Sequence, residues 1–204
     1  MRTQPLPRRA GFTLVELLAV VMIISLLASL MFVGFSTVKE NGNKVKCMNN
    51  LKQLSLAVTQ FSRDKDVFPD RDRWLATDAG RGARTGQLYR YLGDGKLYAC
   101  PSDTVLMTGL DSGQSPRLTS YAYNGWFSGK NANLSVDMSA AVVLIEPDMP
   151  NQGAGTTSFE GAGAPLLTTR HSGGGQIGYG DGHVELYSRI KYEANKAKIF
   201  QVTQ

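Results

Sequence analysis

Hydrophobic positions near the start of the chain form one long run. Between Phe12 and Phe35 the only charged residue is Glu16. As a helix, this run would rise about 36 Å, which is enough to cross a hydrocarbon core of roughly 30 Å. A cleaved secretory signal and a buried core helix are the alternatives, but the run is longer than a usual signal core and no clear small-x-small site follows it. We therefore expect a membrane-spanning helix over 12–35.

Polar residues become frequent after Ser36, and the apolar residues then recur at steps of three and four. This spacing predicts that the helix continues over 36–62 as an amphipathic helix whose apolar stripe packs on a globular domain. Gly42 is the weak point of this helix and predicts a bend, a segment that can extend, or a hinge without function. The predicted stripe consists of Val45, Met48, Leu51, Leu54, Val58 and Phe61.

The rest of the chain, 63–204, contains short segments rich in aromatic and β-branched residues, and glycine clusters in its second half. This pattern is typical of short strands joined by turns. Together with the long N-terminal helix, it predicts an α+β fold in which the helix packs on a small antiparallel sheet. The predicted strands are 120–124, 140–146, 175–180 and 183–187.

The last two predicted strands flank Asp181-Gly182. This dipeptide is a strong hairpin signal, because a tight turn needs positive φ at its central positions. The residues expected to meet across the hairpin are Ile177 and Tyr179 on one strand and Val184 and Leu186 on the other.

The net charge of +5 is concentrated at the N-terminus. Arg2, Arg8 and Arg9 precede the apolar run, and the rest of the chain is close to neutral. No stripe of Lys and Arg interleaved with aromatic residues is present, so the basic composition does not indicate nucleic-acid binding. It indicates a basic flank that stays cytoplasmic beside a membrane segment.

Two candidate chemical sites are weak. The acids over 64–72 suggest calcium, but the spacing lacks the glycine and the glutamate of an EF-hand, and nearby cations dilute the charge. His171, Asp181 and His183 suggest a base or a metal site, but no third ligand and no hydrolase motif is evident. We therefore predict no enzyme activity and no cofactor. His171 with Asp181-Gly182 is expected to hold a glycine-rich loop and its hairpin by hydrogen bonds to the backbone.

The segment GFTLVELLAVV, which begins at Gly11, resembles the type IV prepilin N-terminal signature that pilins share with the pseudopilins of type II secretion. The resemblance implies that residues 1–11 are a leader and that a prepilin peptidase cuts between Gly11 and Phe12 on the cytoplasmic side. The new Phe12 amine would then be N-methylated. The apolar segment would stay on the mature subunit.

The same resemblance gives Glu16 a role in subunit assembly. In that family the first helices pack in a filament core, where Glu16 of one subunit would pair with the N-terminal ammonium of its neighbour. Removing one partner of such a buried pair costs about 3–5 kcal/mol. Glu16 would therefore fix the register of each incoming subunit. The alternative is an acid that is tolerated near the membrane surface.

A second resemblance covers much of the remaining chain. His171, nine intervening residues and Asp181-Gly182 are similar to the H-X9-DG element of prepilin-type processing-associated proteins. Export across the membrane leads to an oxidising compartment, so Cys47 and Cys100 are expected to form a disulfide, with two buried thiols as the alternative. Further segments similar to that family are Cys47 with NNLKQL, Cys100-Pro101 and SYAYN at 120–124.

These resemblances imply a single-pass inner-membrane protein with a periplasmic domain that assembles into a type II secretion pseudopilus or a type IV pilus, the latter an extracellular filament. Small size and aromatic-rich strands favour the pseudopilus by analogy. The implied partners are prepilin peptidase, other pilin or pseudopilin subunits, the inner-membrane assembly platform and the membrane. Major pseudopilins have a calcium site, but no ligands for it can be assigned in this sequence.

Two alternatives come from other functional classes. The first is a membrane-anchored binding module at the cell surface, which uses the pilin export route and presents its glycine-rich loops to a glycan or a protein without polymerising. The second is an anchored hydrolase that uses His171 and Asp181.

Overall fold

The structure, a computed structural model, describes residues 11–75, 82–104, 119–148, 158–160 and 163–201. Most of the predicted leader, 1–11, therefore lies outside the described residues. The chain divides into two compact units, Met1–Asn41 and Gly42–Gln204.

One helix, α1 (Leu14–Lys65), covers the second predicted helical segment and all but the first two residues of the first. It continues through Gly42, and the boundary between the two compact units falls at this glycine. Among the residues that the structure describes, no helix combines the length and the apolar character needed to cross a membrane. The membrane span over 12–35 therefore stays a prediction.

The second half of α1 buries one face, as its spacing predicts. Val45 is an exception, because its side chain is 55% exposed. Each step of three residues rotates the position by about 60° away from a straight stripe, so three such steps place Val45 on the opposite side of the helix from Leu54. The buried face begins at Cys47 instead. The predicted stripe residues that are buried are Leu51, Leu54, Val58 and Phe61.

Within the described residues, five strands form one sheet. Their bounds are β1 (Ala122–Asn124), β2 (Val142–Ile145), β3 (Ser158–Phe159), β4 (Gly174–Tyr179) and β5 (Val184–Ser188). The order across the sheet is β3-β1-β2-β4-β5. β3 runs parallel to β1, so the sheet is mixed, and the expectation of a purely antiparallel sheet is wrong at this edge. The other pairs are antiparallel as predicted.

The remaining helical segments are short, apart from the last. α3 (Arg189–Ile199) was not predicted and directly follows β5. Ser188 caps it, since the Ser188 hydroxyl accepts a hydrogen bond from the Lys191 N–H at 3.3 Å. The shorter segments are α2 (Tyr89–Leu92) and the 3₁₀ helices Gly82–Thr85, Gly95–Tyr98 and Gly125–Phe127.

The two faces of the sheet contribute to two different apolar clusters. The first contains the buried face of α1 with Trp74, Tyr98, Tyr121 and Tyr123. The second contains Ile177 of β4 and the aromatic residues of the C-terminal segment, Tyr192 and Phe200. Successive residues of a strand point to opposite faces, which is why Tyr123 belongs to the first cluster and Ala122 to the second. The predicted α+β architecture, with a helix packed on a sheet, is confirmed.

Three buried tyrosines predict a loss of stability at alkaline pH. Burial raises the pKa of Tyr98, Tyr121 and Tyr123 well above the ordinary value of 10.0. The folded state therefore keeps protons that the unfolded chain releases, so the stability present below pH 10 falls above it by about 1.4 kcal/mol per pH unit for each tyrosine. Denaturant titrations from about pH 9 to about pH 11 measure this slope. Tyrosinate absorbance from all three residues in protein that is still folded at pH 10 would contradict it.

Candidate functional site

The N-terminal end of α1 carries the predicted processing and assembly residues. Gly11 and Phe12 precede the helix, and the Phe12 side chain is 81% exposed. The Glu16 carboxylate accepts hydrogen bonds from the Thr13 N–H at 2.9 Å and from the Thr13 hydroxyl at 2.8 Å. The Thr13 hydroxyl oxygen accepts the Glu16 N–H at 3.3 Å. This reciprocal pairing is a capping box, which starts the helix by satisfying its first free donors.

The capping box uses the side-chain oxygen of Glu16. A glutamine at this position caps a helix as well as a glutamate does, so the cap needs the side-chain oxygen and not the negative charge. The charge also interacts favourably with the N-terminus of the helix, and the role of Glu16 in subunit assembly stays a prediction. The T-x-x-E spacing at Thr13 is the signal that would have found this cap in the sequence.

Cys47 and Cys100 form a disulfide, which confirms the predicted pairing. Their Cα atoms are 5.0 Å apart, and the bond joins α1 to the segment that follows the 3₁₀ helix Gly95–Tyr98. Both residues are completely buried. The Tyr121 hydroxyl donates to the Cys47 carbonyl at 3.3 Å, and the Cys100 N–H donates to the Ser120 hydroxyl at 2.9 Å.

His171 lies against this disulfide. Its Nε2 is 3.5 Å from Cys100 Sγ and 3.1 Å from Glu146 Oε1, and all three residues are inaccessible to solvent. The expected hydrogen bonds to loop backbone come from the main chain of His171, whose N–H donates to the Gly174 carbonyl at 3.0 Å. The imidazole contacts the disulfide and a carboxylate, which was not expected. The structural role of His171 stays a prediction, now with specific partners.

Glu146, which contacts His171 beside the disulfide, was not singled out from the sequence. It directly follows β2, and its Oε2 accepts the Gln176 N–H at 3.3 Å. Arg170 lies 3.4 Å from Glu146 Oε1 and 3.1 Å from Asp103 Oδ2, so one guanidinium compensates two carboxylates. An acid directly after an apolar strand was the available signal, because a buried carboxylate needs a charged or hydrogen-bonding partner.

β4 separates the two parts of the H-X9-DG element. His171 belongs to the turn before this strand, and Asp181-Gly182 belongs to the turn after it. A strand of 6 residues rises about 20 Å. His171 and Asp181 therefore do not meet at a common site, and the hydrolase alternative loses its proposed residue pair.

Asp181 instead pairs with the second histidine of the chain. Its carboxylate lies 2.6 Å from His183 Nδ1, and the His183 ring stacks on Tyr179 at 4.1 Å between centroids. Burial alone would raise the pKa of Asp181, but hydrogen bonds from the His183 N–H and imidazole lower it below its ordinary value. Both side chains are well exposed, so the pair contributes to the turn and little to overall stability.

The hairpin of β4 and β5 differs from the predicted register by one residue. The Tyr179 N–H donates to the His183 carbonyl and the Gly182 N–H donates to the Tyr179 carbonyl, each at 3.0 Å. Gly182 adopts φ of 91°. This is a three-residue loop that ends in a left-handed glycine, not a two-residue turn, and the extra residue shifts every pair. The observed pairs are Gly178 with Val184, Ile177 with Glu185 and Gln176 with Leu186.

We expect Gly182→Ala to lower the free energy of unfolding by about 2 kcal/mol, as measured by urea denaturation. A Cβ at this position would lie 2.5 Å from Leu56 Cδ2 on α1, in addition to the strain of φ at 91°. Gly93→Ala is the matched control, because Gly93 has φ of 71° and no neighbour within 4 Å of the added Cβ. Equal losses in the two variants would mean that the contact with α1 contributes nothing.

Comparisons with known proteins place the chain among pilin-like sequences. Residues 6–32 match the prokaryotic N-terminal methylation motif. The chain is 34% identical to the type IV major pilin protein PilA of Myxococcus xanthus over 85 residues, which cover 42% of this chain and 37% of the pilin. It is 26% identical over 96 residues to the type II secretion system core protein G of Pectobacterium carotovorum, which covers 47% of this chain and 62% of that protein.

The protein of the same name from Vibrio cholerae is 31% identical over 68 residues, covering 33% of this chain and 47% of that protein. The chain therefore spans less than two thirds of each of these three relatives. No solved structure matches the chain. The resemblance drawn from GFTLVELLAVV is confirmed: the chain is prepilin-like, with an N-terminal methylation motif and similarity to a type IV pilin and to type II secretion core proteins.

Proposed function

We propose that the chain is a structural subunit that prepilin peptidase cleaves after Gly11 and methylates on Phe12, and that assembles into a type II secretion pseudopilus or a type IV pilus. The observation that carries this proposal is the methylation motif over residues 6–32, which includes the start of α1. The chain is similar to a type IV pilin and to a type II secretion system core protein, so each proposed assembly has a relative among the matched proteins.

The surface of α1 supports the same proposal. Large apolar side chains between Phe12 and Leu27 are more than 40% exposed, including Leu14 at 87% and Val15 at 75%. So much contiguous apolar surface needs a lipid or protein environment, because a water-exposed patch of this kind leads to association. Lipid would cover it before assembly and neighbouring subunits would cover it afterwards. We place the protein in the inner membrane with its second unit in the periplasm.

Glu16 would fix how neighbouring α1 helices align in the filament. The ammonium of the processed Phe12 would need a counter-charge in a water-excluded filament core, and the carboxylate of a neighbouring Glu16 supplies it. The further partners that we propose are the inner-membrane assembly platform and the other subunits of the filament.

Filament recovery tests the proposed function. Cells with an active prepilin peptidase and assembly platform are sheared, and the filament and membrane fractions are probed for the chain. We expect the leaderless protein in the filament fraction, and we expect Gly11→Leu, which should block cleavage, to remain in the membrane fraction. Processed wild-type protein that stays entirely with the membranes would overturn the polymerising role.

One surface feature favours the binding-module alternative. A cleft of about 410 Å³ lies beside the β4–β5 hairpin and α3. Its lining combines aromatic rings and lysine side chains with the Glu185 carboxylate, which suits a polar ligand such as a glycan or a protein segment. A module of this kind would bind its ligand as a membrane-anchored monomer and would be absent from sheared filaments. The lining includes Tyr179, His183, Tyr187, Lys191 and Lys198.

A further inference from the structure

Four metal-ligating side chains converge in the buried interior of the second unit. They are Cys47, Cys100, Glu146 and His171, and one ligand atom of each lies within 4.8 Å of the ligand atoms of the others. All four residues are completely buried. They come from four separate parts of the chain: α1, the segment after a 3₁₀ helix, the position directly after β2 and the turn before β4. A disulfide alone does not require a histidine and a carboxylate beside it.

The distances already approach those of a tetrahedral zinc centre. With Zn–S near 2.3 Å and Zn–N and Zn–O near 2.0–2.2 Å, neighbouring sulfur and nitrogen ligands lie about 3.5 Å apart, and nitrogen and oxygen about 3.3–3.4 Å. Here Cys100 Sγ is 3.5 Å from His171 Nε2, and His171 Nε2 is 3.1 Å from Glu146 Oε1. The sulfur pair differs from a metal site, because Cys47 and Cys100 are bonded to each other, and the remaining ligand pairs lie within 4.8 Å.

Neighbouring groups hold the Glu146 carboxylate in an orientation suited to a metal ligand. Glu146 turns Oε1 toward His171, while its Oε2 is occupied by the Gln176 N–H at 3.3 Å. Arg170 lies 3.4 Å from Glu146 Oε1 and offsets negative charge on the cluster. Such outer hydrogen bonds and charges hold ligands in place and tune the affinity of metal sites. Two thiolates, one carboxylate and a neutral imidazole would give the centre with a divalent ion a net charge of −1, and Arg170 lies beside this charge while it also pairs with Asp103.

We propose that this cluster is a closed zinc-type metal centre whenever Cys47 and Cys100 are reduced, and that the disulfide and the metal replace one another as the cross-link between α1 and the sheet. Reduction by a dithiol breaks the Sγ–Sγ bond, and the dithiol gives up two electrons and two protons and becomes a disulfide. Binding of a divalent ion then displaces the two thiol protons to solvent. A ligand set of two sulfurs, one nitrogen and one oxygen selects zinc over magnesium or calcium.

Cobalt titration of the full chain in detergent tests the proposal. The protein is reduced without oxygen, freed of reductant and titrated with Co²⁺, whose visible bands report tetrahedral geometry and whose near-ultraviolet charge transfer reports thiolate ligation. We expect one Co²⁺ per reduced chain, bleached by one equivalent of Zn²⁺. The oxidised protein has the same fold without thiols and should show no such bands. No tetrahedral bands after reduction, or equal binding by the oxidised protein, would overturn the proposal.

Two variants and one matched control assign the ligands. His171→Asn and Glu146→Gln should each weaken Co²⁺ binding by about tenfold or more, because each changes a proposed ligand and even the loss of a group that supports a ligand costs about tenfold to a hundredfold in affinity. His183→Asn should leave it unchanged, because His183 is the other histidine of the chain and lies outside the cluster. Unchanged affinity in both cluster variants would overturn the four-ligand centre.

A second readout covers variants that fail to fold. In the reduced wild-type protein, bound Zn²⁺ should slow the alkylation of Cys47 and Cys100 at least tenfold, and a chelator should restore the original rate. The same alkylation rate with and without Zn²⁺ would overturn the proposal independently of any variant.

Discussion

A chain in which Cys47 and Cys100 are both replaced by serine should lose about 4 kcal/mol of its free energy of unfolding. The two residues are 53 positions apart, and closing a loop of that length removes much of the conformational freedom of the unfolded chain. Urea denaturation of the full chain, with the oxidised wild type as reference, measures the loss. The fold itself should survive, because Leu51, Leu54 and Val58 still bury the same face of α1.

The control for this result changes no residue. Wild-type protein that is reduced in the presence of a chelator breaks the same bond and should lose a similar amount of stability, apart from the cost of two buried serine hydroxyls. A loss below about 1 kcal/mol in both experiments would contradict a stabilising cross-link.

Glu16→Gln should abolish filament assembly while leaving α1 intact. The amide can still accept the hydrogen bonds from Thr13, so the capping box remains, but the counter-charge for a neighbouring N-terminus is gone. An uncompensated buried charge costs about 3–5 kcal/mol, which corresponds to a loss of a hundredfold or more in subunit association. The amount of the chain in the sheared filament fraction measures the effect.

Thr13→Ala is the matched variant, because it removes the capping hydroxyl and keeps the Glu16 charge. It should cost about 1 kcal/mol of helix stability and still assemble. If Thr13→Ala blocks assembly and Glu16→Gln does not, the cap and not the charge is the assembly device, and the proposed pairing between subunits is wrong.

Patterns that repeat along one element could be read from the sequence. The apolar run before Phe35, the buried face of α1 and the four strands of alternating or branched residues all reflect the local periodicity of helices and strands. Errors arose where small offsets accumulate. Val45 is three steps of three residues away from Leu54, and one extra residue in the turn at Gly182 shifted the hairpin register.

Contacts between distant segments could not be read in this way. Cys47 and Cys100 could be paired because cysteines are few and export favours oxidation. The sequence marks Glu146 only as an acid directly after an apolar strand, and its position beside His171 depends on the pairing of β2 with β4 in the sheet. Tertiary packing brings Glu146 and His171 together. The parallel pairing of β3 with β1 also joins segments that are distant in the sequence, so local periodicity could not predict it.

Intact-mass analysis of the membrane-extracted protein, with and without a co-expressed prepilin peptidase, tests whether the chain is processed as a pilin-like subunit. We expect a peptidase-dependent loss of Met1 to Gly11 together with the added mass of one methyl group on Phe12. A chain cut after the apolar run, or one left uncut in cells with an active peptidase, would contradict the proposal of a processed pilin-like subunit.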